Sequence, residues 1–410
     1  MSAGEDPRDR SRHRWQVAGL IAVLVVTASV IVIDARRHEA RGWATGSATG
    51  SVAGSTSPVV SSAVSPASAT TTPPPPGPGP SSAGPRDVYA AITRGLATRV
   101  AHVPVRVYVP NNQSNDVSVI DPRTFKVLYT FPTGSEPQHV SPSWDLRHLF
   151  VGDVYGNTLT EVDPRTGRPI RAIPVPDPYN LYFTPDGRQA IDVEEGHDTL
   201  AFYDPRTWKL RATLAIPFRG PDHLDFSASG STFLISTEYA GTVIKVDAAR
   251  HRILGSLALG GSTVDVKLAP DGRLFYVANQ RRNGVSLVDP SSMREVRFIP
   301  TGVGAHGFAV SRNTKELYVS NRLAGSISVI SFSRNRVIHT WHVGGSPDML
   351  QVSADGRQLW ATNRFNASVS VIDTRTGRVL HTIPVGVDPH GLTLFPQPGR
   401  FCLGHNGVYR

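Results

Sequence analysis

Seven polar residues recur along this 410-residue chain at nearly constant intervals: His139, Asn180, His223, Asp265, His306, Asp348 and His390. The steps between them are 41, 43, 42, 41, 42 and 42 residues. Four are imidazoles and two are carboxylates, donor types that hold divalent transition metals. If one structural unit repeats with this period and brings them onto a ring, His139, His223, His306 and His390 are candidate ligands for a divalent metal. Asn180, Asp265 and Asp348 are candidates for binding a small organic ligand on the same ring. Against the surrounding motifs, His306, Asp348 and His390 sit one residue earlier than the other four, so not all seven need face inward. Opposite members of a wide ring are also too far apart to share one ion through bonds of about 2.1 Å. A polar, water-filled ring of hydrogen-bonded histidines is the alternative.

A second set shares the period: Asn111, Asp153, Glu194, Glu238, Asn279, Asn321 and Asn363. Asparagine at a strand end caps turns by bonding nearby backbone. The charged residues segregate. Glu194, Glu195 and Glu238 come first along the chain, and Arg281, Arg282, Arg322 and Arg364 follow at equivalent places. A face acidic on one side and basic on the other suits a zwitterionic ligand or a charged partner. Other signatures are missing. No G-x-S-x-G elbow occurs, and GVGAHG (302–307) joins two strand-like segments without the helix a dinucleotide site requires. Cys402 is the only cysteine, which excludes an internal disulfide and a cysteine-based zinc site.

The elements that position these residues follow from self-similarity. One segment recurs as SVIDPRT (118–124), TEVDPRT (160–166), AFYDPRT (201–207), IKVDAAR (244–250), SLVDPSS (286–292), SVISFSR (328–334) and SVIDTRT (370–376). Each period also holds a short apolar strand before a turn such as PDGR (185–188), a strand such as YVAN (276–279), and a last strand such as TIPVG (382–386). Alternating apolar residues bounded by Gly, Pro, Asp and Asn are strand-and-turn chemistry. Four strands in about 42 residues is the period of a propeller blade. The first repeat starts at its second strand, VRVYVP (105–110), and HGLTLFP (390–396) is a spare first strand at the other end. Pairing the two would close the ring and leave a monomer without exposed edges. Residues 400–410 have no assigned place.

These motifs closely resemble the YVTN-repeat, YncE-like β-propellers over about residues 105–396. WD-repeat proteins share the period, but their Gly-His and Trp-Asp signature is absent here. The resemblance implies a seven-bladed extracytoplasmic propeller, and by analogy single-stranded nucleic-acid binding. It transfers no site residue.

The N-terminal part reads as delivery. Residues 1–16 form a short basic cytoplasmic segment, and residues 17–34 a transmembrane signal anchor whose uncharged run, 17–33, is the expected membrane contact. Residues 35–86 are an Ala/Gly/Ser/Thr/Pro-rich linker, without a charged side chain from 44 to 85, and of a composition that stays disordered. Residues 87–104 form a brace, with Val88, Ile92, Leu96 and Val100 spaced as a short helical stripe. Residues 105–410 are the propeller. The net charge of +9 divides almost evenly between the first 104 residues and the rest, which excludes a strongly basic DNA-binding surface.

The expected fold is therefore all-β, a seven-bladed propeller of four-stranded repeats preceded by one transmembrane helix and a disordered linker. The propeller is expected in the periplasm or at the cell surface. The expected function is binding or scaffolding rather than catalysis, with an unknown protein or small molecule at the channel mouth. A metal-dependent, lactonase-like hydrolase at the same mouth is the alternative.

Overall fold

The computed structural model describes residues 87–405 and 409–410. The expected cytoplasmic segment, anchor and linker all lie outside the described residues. No helix among the described residues is long and apolar enough to cross a membrane.

Seven four-stranded antiparallel sheets form seven blades. A representative blade runs through Pro137–Pro142, Leu149–Asp153, Thr158–Asp163 and Arg168–Pro174. Its first strand is wholly buried and its last mostly exposed. That gradient follows from position: first strands face one another around the channel, whereas last strands border solvent. The other first strands are Pro178–Phe183, Pro221–Phe226, Thr263–Leu268, Ala305–Val310, Pro347–Val352 and Thr393–Phe395.

Closure occurs as the sequence implies. Thr393–Phe395 pairs with Arg106–Asn111, placing Arg106 opposite Phe395 and Tyr108 opposite Thr393. The first blade therefore draws strands from both ends of the chain. The repeated DPRT aspartates make turns: Asp121, Asp163 and Asp204 each accept a hydrogen bond from the backbone N–H two residues on, at 2.9 Å.

The channel has two unlike ends. Its upper end is where the first strands begin, and its lower end is where they finish. The lower end is plugged by both flanks of the repeats. Residues 87–103 do not form the expected helix. They make two 3-10 turns, Ala90–Thr93 and Thr98–Val100, interrupted around Gly95. So short a helix is marginal in water, and packing dictates the path instead. Tyr89, Ile92, Val100 and Val103 are buried in the main core. The Tyr89 hydroxyl donates to the Leu268 carbonyl at 2.9 Å.

The C-terminal segment folds back on itself, with Cys402 bridged to Tyr409. Cys402 N–H donates to the Trp144 carbonyl at 3.2 Å, and Phe183 N–H to the Leu403 carbonyl at 2.9 Å. Arg410 reaches Asp225 at 2.9 Å. This tail enters the channel from below and carries His405 inward.

Candidate metal centre in the channel

All seven residues of the periodic ring are buried. Six first strands share an irregularity near their start, seen for example between Pro137 and Val140 and between Ala305 and Phe308. A bulge of this kind sets two strand residues against one on the partner and re-aims a side chain. Within this shared irregularity His306 and Asp348 lie second in their strands and His139 and His223 third, and all four are buried.

They meet as two clusters. In the first, His306 Nε2 lies 2.8 Å from Asp348 Oδ1, and His390 Nδ1 lies 2.8 Å from Asp348 Oδ2. Arg322 Nε donates to Asp348 Oδ1 at 2.8 Å, and Arg322 Nη2 also contacts His306 Nε2. Burial alone would raise the Asp348 carboxyl, but Arg322, His306 and His390 hold it well below the usual range. Burial, reinforced by Arg322, pushes His306 well below an ordinary histidine. This cluster contains its own cation.

The second cluster comprises His139, His223 and His405. Their ligand-capable nitrogens lie within 4.8 Å of one another. Ring centroids are 3.7 Å apart for His139 and His405, and 5.4 Å apart for His139 and His223. Both nitrogens of His139, both of His405 and Nε2 of His223 lack any hydrogen-bond partner. Behind His223, the Asp222 carboxylate lies 2.5 Å from Nδ1. Burial and neighbouring imidazoles hold His139 and His405 well below the ordinary value. Burial also works against a charged His223, but Asp222 outweighs it and the net shift is upward. Gly391 makes room here, because a Cβ at that position would run into His139 Nδ1.

A YNCE-like β-propeller family model matches residues 84–399. The chain belongs to this family. No curated protein matches it in sequence. Among solved structures, hydrazine synthase from Kuenenia stuttgartiensis is similar with a TM-score of 0.60 and 19% identity, covering 68% of this chain and 98% of its own. A protein of unknown function from Desulfotomaculum acetoxidans gives 0.61 and 17% identity, covering 70% and 98%. Dihydro-heme d1 dehydrogenase NirN gives 0.55 and 16% identity, covering 73% and 77%. At these identities the likeness is one of fold alone.

In this YNCE-like propeller the remaining candidates scatter. Asn180 donates to the Asp222 carbonyl at 3.1 Å, and Asp265 accepts from Phe308 N–H at 2.8 Å, so both tie neighbouring blades together. Asn111, Asn321 and Asn363 bond hydroxyls within their own hairpins, as Asn111 does with Ser118 at 2.9 Å. Arg281 is exposed and forms no ion pair among the described residues. Arg364 binds Asp388 at 2.9 Å and approaches His390 Nδ1 at 3.1 Å. The two arginines nearest the channel are thus matched by Asp348 and Asp388, which removes the free basic side a zwitterion would need. On the acidic side, Glu194 lies 3.5 Å from His197, and Glu238 accepts from Ser262 at 3.4 Å. Burial, then Glu238 and Asp222, raise the Glu195 carboxyl well above normal. Two channel residues escaped the sequence reading. His405 lies beyond the last repeat, where periodicity has no reach. Asp222 sits beside a ring member and shows itself only through contact with His223.

Proposed function

We propose that this chain is an envelope-anchored binding propeller whose channel holds a divalent transition metal on His139, His223 and His405. The observation that carries the reading is the group of buried imidazole nitrogens without a protein partner. Buried polar atoms in native proteins are nearly always hydrogen-bonded, and groups that are not call for an ion or water. An all-imidazole donor set suits zinc, copper, nickel or iron rather than calcium or magnesium. Neutral imidazole is the ligand form, and burial keeps His139 and His405 neutral. Asp222 against His223 Nδ1 resembles the carboxylate–histidine pairs that orient metal ligands. His390 Nε2, also without a partner, belongs to a ring 4.5 Å from His139 and is the candidate fourth donor.

The hydrolase reading needs that fourth position open to water. Its support is the Glu195 carboxyl, raised by burial and in electrostatic contact with Asp222, as a proton-transfer group would be. Single-stranded nucleic acid is disfavoured, since the propeller carries no strongly basic surface to hold a polyanion. Placement outside the membrane rests on residues 17–33 and the linker to 86. Protease added to intact cells should release the propeller; resistance to it would contradict that placement.

The test of the metal reading is calorimetric titration of zinc into the chelator-treated full chain. One equivalent should bind, and His139→Ala with His223→Ala should abolish it. Equal binding by the double variant would overturn the assignment.

A further inference from the structure

Below the histidines lies a group of a different kind. Lys267, on the first strand Thr263–Leu268, is only 2% exposed. It makes no hydrogen bond or ion pair among the described residues. It lines a cavity of about 30 Å³ together with Arg312, Gln351, Gln397 and Tyr409. Arg312 donates to the Val352 and Ser353 carbonyls at 3.0 and 2.9 Å and to Gln397 Oε1 at 2.6 Å, all neutral acceptors. Burial pulls its guanidinium down to about 10, against weak opposing pulls from Tyr409 and Asp355.

Two further polar groups of the lining present donors, beside an apolar wall of Ile92, Ala309, Val310 and Val352. Gln351 Oε1 accepts from Leu394 N–H, which leaves Nε2 as the unused end, and Nε2 has no partner. The Tyr409 hydroxyl also has none. The Val352 carbonyl, an acceptor at this wall, is already shared between Arg312 and Gln397. One buried cation, one half-buried cation, an unpartnered amide and an unpartnered hydroxyl therefore line one cavity, and no carboxylate lies within ion-pair distance of either cation among the described residues. Buried charge is stable only when paired.

We propose that this cavity binds a small monovalent inorganic anion of chloride size, held by Lys267, Arg312, Gln351 and Tyr409. The volume selects the class. A space of about 30 Å³ takes one such ion, whereas tetrahedral oxyanions with their oxygens need more. Water would accept hydrogen bonds from the same donors but would leave both cations uncompensated. The site shares no ligand with the metal centre above it, although the Lys267 charge acts on His223 and His405. It also gives the tail a role: Tyr409 closes the cavity from below, so the anion would bind the C-terminal segment to the first strands.

The direct test is diffraction from crystals of the full chain grown in bromide instead of chloride. An anomalous bromide peak within contact of Lys267 Nζ is expected; its absence would overturn the proposal. In solution, replacing gluconate by chloride at fixed ionic strength should raise the melting temperature of the wild type. Lys267→Met should remove that difference. An identical melting temperature in both salts would also refute the site. Should Lys267→Met fail to fold, Arg312→Gln serves the same comparison, and the bromide experiment stands on the wild type alone.

Discussion

Two clusters built from the same ring residues solve the same electrostatic problem differently. Around Asp348, two imidazoles and a carboxylate surround a guanidinium; the carboxylate and guanidinium are satisfied within the protein, and each imidazole keeps one nitrogen unused. Around His139, three imidazoles face one another with their nitrogens unused. Both have ligand types and spacing that a metal could use, but only the Asp348 cluster has a guanidinium bonded to its own ligands; Arg364 and Lys267 act on the other through space. The lesson is that proximity of histidines and carboxylates does not mark a metal site by itself. A neighbouring arginine can complete the cluster, and unsatisfied nitrogens are the sharper sign.

The largest effect that could break this contrast is on stability. Asp348→Ala should leave Arg322 buried without its partner and cost about 3–5 kcal/mol in urea unfolding, as broken buried pairs do. His139→Leu, in chelator-treated protein, should change stability by no more than about 1 kcal/mol, because it removes a group that has no partner to lose. Equal losses from both would erase the distinction between the clusters. Next in size is metal affinity. Asp222→Asn should weaken zinc binding by roughly 10–100-fold, the usual effect of losing a ligand's supporting carboxylate. Calorimetric titration measures it, and unchanged affinity would detach Asp222 from the site.

The pH profile separates the clusters further. His139 and His405 resist protonation in the folded chain, whereas the unfolded chain takes up those protons near pH 6.5, roughly the unperturbed histidine value. Their contribution is thus complete above that pH and lost as pH falls below it, by about 1.4 kcal/mol per unit per group. His223, shifted upward, works in the opposite sense, stabilising at low pH and losing this as pH rises through its folded value. Thermal melts of metal-free protein between pH 7.5 and 5 should fall with acid, and His139→Leu/His405→Leu should flatten the slope. The smallest effect belongs to Arg281→Ala. Exposed and outside both clusters, it should alter neither metal binding nor stability beyond about 0.5 kcal/mol.

The propeller was legible because a repeated unit writes its period into the chain. The spacing of the DPRT turns gave seven blades, and the missing first strand of the first repeat gave the closure at residues 105–110 and 390–396. The ring was legible for the same reason, although residues one step out of register, such as His139 and His306, both end up buried. The limits were also those of periodicity. His405 belongs to no repeat, so no count could add it to His139 and His223. The stripe at Val88, Ile92, Leu96 and Val100 has helical spacing, yet only contact with the lower core decides its form, and that form is two 3-10 turns. Arg322 and Arg364 were readable as a basic side. Their use by Asp348 and Asp388 depends on distances between blades, which spacing along the chain does not encode.

The central claim is that the tail completes a metal centre. Its most direct test is the metal content of the full chain purified without chelator, beside His405→Ala. About one transition-metal ion per wild-type chain, and little in the variant with its blades intact, is the predicted result. A metal-free wild type that also fails to load with zinc, copper, nickel or iron, or a variant retaining a full equivalent, would contradict it.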